Sequence, residues 1–112
     1  MLLAVHMTPE QENARRKRLV TAARAVLSLQ VGLGVGCSRI NRELFWLGAE
    51  HRDRFPIFDE FLKAALGYPI GTERLQWAPE SLLKADRKLA AVESDFRTRI
   101  LKSCIEIIKD YG

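Results

Sequence analysis

QVGLGVGCSRINRELFWLG, residues 30–48, places three alternate glycines (Gly32, Gly34, Gly36) directly before an apolar run. Two readings compete. A phosphate-cradling loop needs Gly-Lys-Ser/Thr after its glycines and a strand before them, so that backbone amides and a lysine converge on phosphate oxygens. Here Gly36 is followed by Cys37-Ser38-Arg39, and the residues before the glycines carry helical spacing. A dinucleotide fingerprint fails for the same reason, since it requires a leading strand within a βαβ unit. The stretch therefore reads as a joint between two helices. Repeated glycine costs on the order of 1 kcal/mol each inside a helix, which interrupts the first one, and its small size lets the two pack closely.

Working outward, Thr8-Pro9-Glu10-Gln11 has the composition of a helix start: a capping threonine, proline at the first helical position and a capping-box glutamine. Leu19, Ala22, Ala23, Val26, Leu27 and Gln30-Val31 then recur at steps of three and four, predicting a first helix over about 9–31. After the glycines, Cys37, Ile40, Leu44 and Leu47 share a face with Phe45 beside it, predicting a second helix over 35–47 stopped at Gly48. AEHRDRF is a charged connection. Pro56 opens a third helix that buries Ile57, Phe58, Phe61, Leu62, Ala65 and Leu66 and is closed by Gly67. GYPIGTERLQW, with two glycines and a proline, is a loop. Pro79 begins a last helix running almost to the end, with Leu82, Leu89, Val92, Phe96, Ile100, Cys104 and Ile108 in one stripe. No stretch alternates with period two between hairpin turns. The expected architecture is all-α: a compact four-helix bundle-like domain over 8–112, with two long and two shorter helices, preceded by a disordered segment 1–7.

A chain of 112 residues, 47% hydrophobic and 29% charged, suits one folded domain. Its net charge is +4. The surplus lies wholly in the first half, because residues 1–54 hold nine Lys/Arg against five Asp/Glu, and residues 55–112 hold nine of each. That is mild for a dedicated nucleic-acid binder, yet enough to consider nucleic acid or an acidic protein as partner. MLLAVHM lacks the basic start and cleavage pattern of a signal peptide, and no apolar run approaches the ~18 residues that span a bilayer. Cys37 and Cys104 are expected as reduced thiols, and a cytoplasmic location with no membrane association is the corresponding expectation.

Candidate chemistry is sparse. Arg15, Arg16, Lys17 and Arg18 resemble a nucleic-acid tag, but four consecutive helical residues fan around the helix and no stacking aromatics are interleaved. His51-Arg52-Asp53 matches a kinase catalytic triplet in a chain too short for that fold. Cys37, Cys104, His51 and His6 lack metal-ligand spacing. Asp86, Glu93 and Asp95 do not form the Glu-x-x-His pairs of di-iron bundles. Hence no catalytic residue, cofactor or metal is predicted. Tyr68 and Trp77 flank the PIGTERLQ loop, and Trp46 stands beside the buried face of the second helix. Each either locks local structure or anchors a partner.

GVGCSRINRELFWL (34–47), YPIGTERLQWAPESLLKAD (68–86) and KSCIEIIKDYG (102–112) carry a resemblance over about Ala22 to Gly112. The chain resembles a family of small bacterial all-helical proteins grouped as a domain of unknown function. Tyr68-Pro69-Ile70-Gly71 and Trp77-Ala78-Pro79-Glu80 match that pattern best. The family carries an acidic Ser-Glu-Thr-Asp run just before the loop, where this chain has Lys63-Ala64-Ala65-Leu66, so a surface built on that run is missing here. Proteins of this kind look like the immunity partners or orphan companions found in toxin clusters.

The resemblance thus implies a helical, non-enzymatic protein-binding module, namely an immunity protein that binds and neutralises a cognate toxin domain. Inhibitors of nucleases usually present acidic surfaces to basic sites. The candidate interface is accordingly placed on Trp46, Asp59, Glu60, Tyr68, Glu73, Trp77, Glu80 and Asp86; otherwise the toxin is not a basic nuclease. The alternative is a nucleic-acid-associated protein using Arg15, Arg16, Lys17 and Arg18. A homodimer is compatible with either.

Overall fold

The computed structural model describes residues 7–112, which are all-α. Five α-helices follow in order: α1 Pro9–Leu27, α2 Leu33–Leu47, α3 Ala49–Arg54, α4 Ile57–Ala64 and α5 Pro79–Tyr111, with a 3₁₀ turn at Thr72–Gln76. Helix α1 packs on α2 and α5, and α4 packs on the same two, so α1, α2, α4 and α5 close a four-membered ring around one core. Leu19, Val26, Cys37, Ile40, Leu44, Phe58, Phe61, Ile100, Cys104 and Ile107 are its fully buried centre. The leading segment expected as disordered lies outside the described residues, except for Met7, which packs against the core.

The start of α1 follows the expected chemistry. The Gln11 amide donates to Thr8 Oγ1 at 3.1 Å, and the Thr8 amide donates to Gln11 Oε1 at 3.0 Å, a complete capping box. Its end does not follow expectation. Helix α1 stops at Leu27, four residues short, and the chain turns before the glycine run. The Gln30 amide reaches the Ala25 carbonyl at 2.9 Å and the Leu29 amide reaches Val26 at 3.2 Å. These are the two hydrogen bonds of a Schellman motif, with Leu29 in the left-handed position (φ 63°) where glycine is usual.

The glycines are therefore not the elbow. Gly32 caps α2, while Gly34 and Gly36 lie inside its first turns. They are there for close approach: a Cβ on Gly36 would stand 2.2 Å from Val26 Cγ2 of α1, and one on Gly34 would stand 2.9 Å from Ile70. The charged stretch expected as a bare connection contains α3, divided from α2 by Gly48 at φ 127°. Leu66, expected on the buried side of α4, is 82% exposed because the helix ends at Ala64 and the chain turns outward.

Candidate functional site

Helices α1 and α2 run antiparallel across the short turn, and their seam is open to solvent on one side. On α1 the open side carries Arg15, Arg18, Ala22 and Ala25 at helical spacing; on α2 it carries Val35, Arg39, Arg42 and Trp46. Four concavities follow one another along this seam and off its end. The first lies between the start of α1 and Trp46. The second, about 290 Å³, is bounded by Lys17, Arg18, Arg39 and Arg42. The third, about 570 Å³, runs from Arg39 and Arg42 to Ile70 and Glu73. The fourth, about 420 Å³, is walled by Leu62, Leu66, Tyr68, Ile70 and Trp77. Successive concavities share a wall: Arg18 joins the first two, Arg39 and Arg42 the next two, Ile70 and Glu73 the last two. The four form a row divided by these shared side chains, a segmented trough with a tryptophan at each end and exposed cations along its middle.

Beneath the cations lies Glu43, the one buried charged side chain among the described residues, 4% exposed. Arg15 donates to its Oε1 at 3.0 Å, and Arg42 Nε stands 3.8 Å from Oε2. A buried carboxylate is tolerated when a partner and hydrogen bonds satisfy it, and Arg15 supplies both. The same Arg15 guanidinium lies 5.1 Å from the Trp46 ring centre, so it holds that ring against α1. Arg16 is also engaged within the fold, 4.7 Å over the Tyr111 ring and donating to the Asp110 carbonyl at 3.4 Å. Of the four basic residues expected as a nucleic-acid contact set, only Lys17 and Arg18 face the trough on its cationic stretch. They are joined there by Arg39 and Arg42 from α2, a pairing no local sequence pattern indicates.

The loop end is tied in three places. Ile70 seats on the bare backbone of Gly34. The Ile70 amide donates to Glu73 Oε1 at 3.1 Å. Arg74 donates to the Pro69 carbonyl at 3.2 Å and, with both terminal nitrogens, to Asp86 of α5 at 2.7 and 2.9 Å. Planar two-point pairing of this kind fixes orientation as well as distance. Pro69 is fully buried beneath the loop, and Trp77 remains 37% exposed on the groove wall.

These ties shift two carboxylates in one direction. Arg74 hydrogen bonds hold the Asp86 carboxyl below its ordinary value, and the Ile70 amide does the same for Glu73. A carboxylate with a depressed folded-state pKa stabilises the fold above its unfolded value, and that contribution fades as pH falls through the folded value. The loop is therefore expected to loosen only in acid, below about pH 4. In a Trp46→Phe background, Trp77 emission should be flat from neutral pH down to that range and then shift. Asp86→Asn should produce the loosened spectrum already at neutral pH. An Asp86→Asn spectrum matching the parent across the whole range would rule out the tie.

The eight residues expected at a partner interface divide accordingly. Tyr68, Glu73 and Trp77 meet in the loop groove, and Asp86 buttresses it through Arg74. Trp46 lies at the opposite end of the trough. Asp59 and Glu60 lie on α4, where Asp59 pairs with Lys63 at 2.9 Å and Glu60 faces Arg99 at 3.9 Å. Glu80 stands exposed in the first turn of α5. An acidic face assembled from these carboxylates does not form: three of them are neutralised by neighbouring cations and Glu73 is committed to a backbone amide. The prominent charge of the trough is positive.

Elsewhere, His51 Nδ1 and the Tyr111 hydroxyl share a 2.7 Å hydrogen bond that ties α3 to the end of α5. Cys37 and Cys104 are free and buried, and burial pushes both thiols up to about 12, aided at Cys37 by the charges of Cys104 and Glu93. Among the described residues no group of three or more His, Cys, Asp or Glu side chains is placed to hold a metal ion, and no helix is long and apolar enough to cross a membrane.

Comparison of the chain with protein-family models, with curated proteins and with solved structures gave no match.

Proposed function

We propose that this protein is a protein-binding module that receives its partner in the α1–α2 trough and the adjoining loop groove, and that the partner is a toxin domain it neutralises. One observation carries the reading: half-exposed tryptophans stand at the two ends of a row of neighbouring concavities whose apolar end is braced by the Arg74–Asp86 ion pair. Aromatic anchors in pre-organised grooves are where binding energy concentrates at protein interfaces. A braced groove loses less conformational freedom when it is filled, which favours affinity. The neutralised acidic residues of α4 and the loop turn the expectation for the partner around. The toxin is not a basic nuclease, because the trough would repel one.

The test is calorimetric titration against the product of the gene neighbouring the one for this chain. A complex at micromolar concentration is expected, weakened roughly 30-fold by Trp77→Ala, in line with the loss of an interface anchor. Failure to form a complex at that concentration overturns the assignment.

A second reading is favoured by the four exposed cations Lys17, Arg18, Arg39 and Arg42 that meet in the trough. Phosphate backbones bind such stripes, and bases stack on aromatics. Against it, the loop end of the trough offers no cation to phosphate, and the Glu73 carboxylate sits on its rim.

A further inference from the structure

Three features of the trough constrain what fills it. Its middle is lined by Lys17, Arg18, Arg39 and Arg42, all exposed, with Arg42 Nε 3.8 Å from the buried Glu43 carboxylate. Between them the floor is made of Ala22 and Ala25, whose short side chains leave room for another backbone to come close. At its loop end the wall turns apolar, with Leu66 82% and Trp77 37% exposed. A small-residue floor between two ridges is the seat that a third helix takes on a helical pair. From Val35 to Trp46 the trough follows about 16 Å of helix axis before passing onto the loop.

We infer that the occupant is an acidic amphipathic helix of the partner. Its carboxylates face the Lys17–Arg18–Arg39–Arg42 stripe, and large apolar side chains at one end enter the Leu66–Trp77 groove. This deepens the protein-binding reading and depends on it. Charge complementarity selects the occupant. A basic or neutral helix leaves the cations unpaired or repels them, and a nucleic acid meets the Glu73 carboxylate and no cation at the loop end. Glu43 is engaged by Arg15 and approached by Arg42, so Lys17, Arg18 and Arg39 are left to set most of the field that a partner meets. Exposed cations of this kind act mainly on encounter rate and specificity, and salt screens them.

The test uses three labelled helical peptides of about 18 residues, long enough to span the trough. All carry the same leucine and phenylalanine anchors at one end, with glutamate, glutamine or lysine on the flanks. Fluorescence anisotropy against the full chain should show the glutamate peptide binding about ten-fold or more tighter than the glutamine one, with the advantage shrinking as salt rises. The Lys17→Glu/Arg39→Glu variant should lose that preference and bind the lysine peptide instead, an exchange that a misfolded protein would not show. Equal binding of the glutamate and glutamine peptides overturns the inference. So does binding of an oligothymidylate in preference to any peptide. If the neighbouring gene's product binds and Trp77→Ala weakens it while Lys17→Glu/Arg39→Glu has no effect, the module reading stands and the acidic helix falls.

Discussion

Phe58→Ala is expected to remove about 3–5 kcal/mol of stability, the range for truncating a fully buried phenylalanine. Phe58 is wholly buried on α4, its ring 6.5 Å from that of Phe55, and α4 is the element that spans the gap between α2 and α5. The loss combines the transfer free energy of the ring with the hole left behind, and the hole stays open because neighbours on three helices cannot all move inward. Domains of this size hold roughly 5–15 kcal/mol in total, so the variant keeps only a fraction of the margin. The midpoint of thermal unfolding followed by circular dichroism should fall by roughly 15 °C, taking about 4 °C per kcal/mol. Phe45→Ala is the matched control. Phe45 is 57% exposed on α2, its main contacts being the edge of Trp46 and the Arg52 guanidinium at 5.5 Å. It should shift stability by no more than about 0.5 kcal/mol. Similar losses in the two variants would mean that the core does not lie where α4 meets α2 and α5.

The control pair also marks where periodicity was informative. Phe58 and Phe61 fall on the apolar stripe that begins at Pro56, and both are buried. Phe45 stands one residue off the stripe of α2 and is exposed. Capping chemistry was equally legible, since Thr8 and Gln11 exchange the expected hydrogen bonds and proline opens both α1 and α5. Two errors had a common physical origin. The turn after α1 is a Schellman motif with leucine in the left-handed position, and turn propensities assign that position to glycine or asparagine. Leucine carries no turn signal, so helical spacing runs α1 on to the nearest glycine and assigns the turn to the glycines. The site was illegible for a different reason. Tyr68 and Trp77 stood out as loop aromatics, but the trough joins Arg18, Arg39, Ile70 and Trp77 across three separate segments. Periodicity says which side of a helix is oily; it does not say which helix lies alongside. Nor does it reveal that Arg15 is spent on a buried carboxylate 28 positions away while Lys17 is not.

Gly36 concentrates that lesson in one position, and its replacement by valine is the second large effect. A glycine inside an exposed helix is a defect, and filling it with a better helix former gains up to about 1 kcal/mol. Gly36 is not exposed. Its missing side chain is the space occupied by Val26 of α1, whose Cγ2 would lie 2.2 Å from an added Cβ, with Val31 Cγ2 at 3.3 Å. Val26 is β-branched and has few rotamers with which to retreat, so α1 and α2 must separate or Val26 must strain. Overpacking of this sort costs about 1–3 kcal/mol and more when the intruder is itself branched; Gly36→Val should therefore lose about 3 kcal/mol, and Gly36→Ala about 1–2 kcal/mol after its helix-propensity gain. Gly32→Ser separates these terms. Gly32 caps α2 with nothing within 4 Å of an added Cβ, and serine caps a helix at least as well as glycine, so urea unfolding should find Gly32→Ser unchanged or slightly stabilised. Widening the α1–α2 contact also widens the trough they frame. The pair of variants should thus divide in binding as in stability, with Gly36→Ala weakening partner uptake and Gly32→Ser leaving it intact. A Gly36→Ala protein as stable as its parent would show that the two helices do not meet at this glycine, and the seam on which the docking surface is built would have to be placed elsewhere.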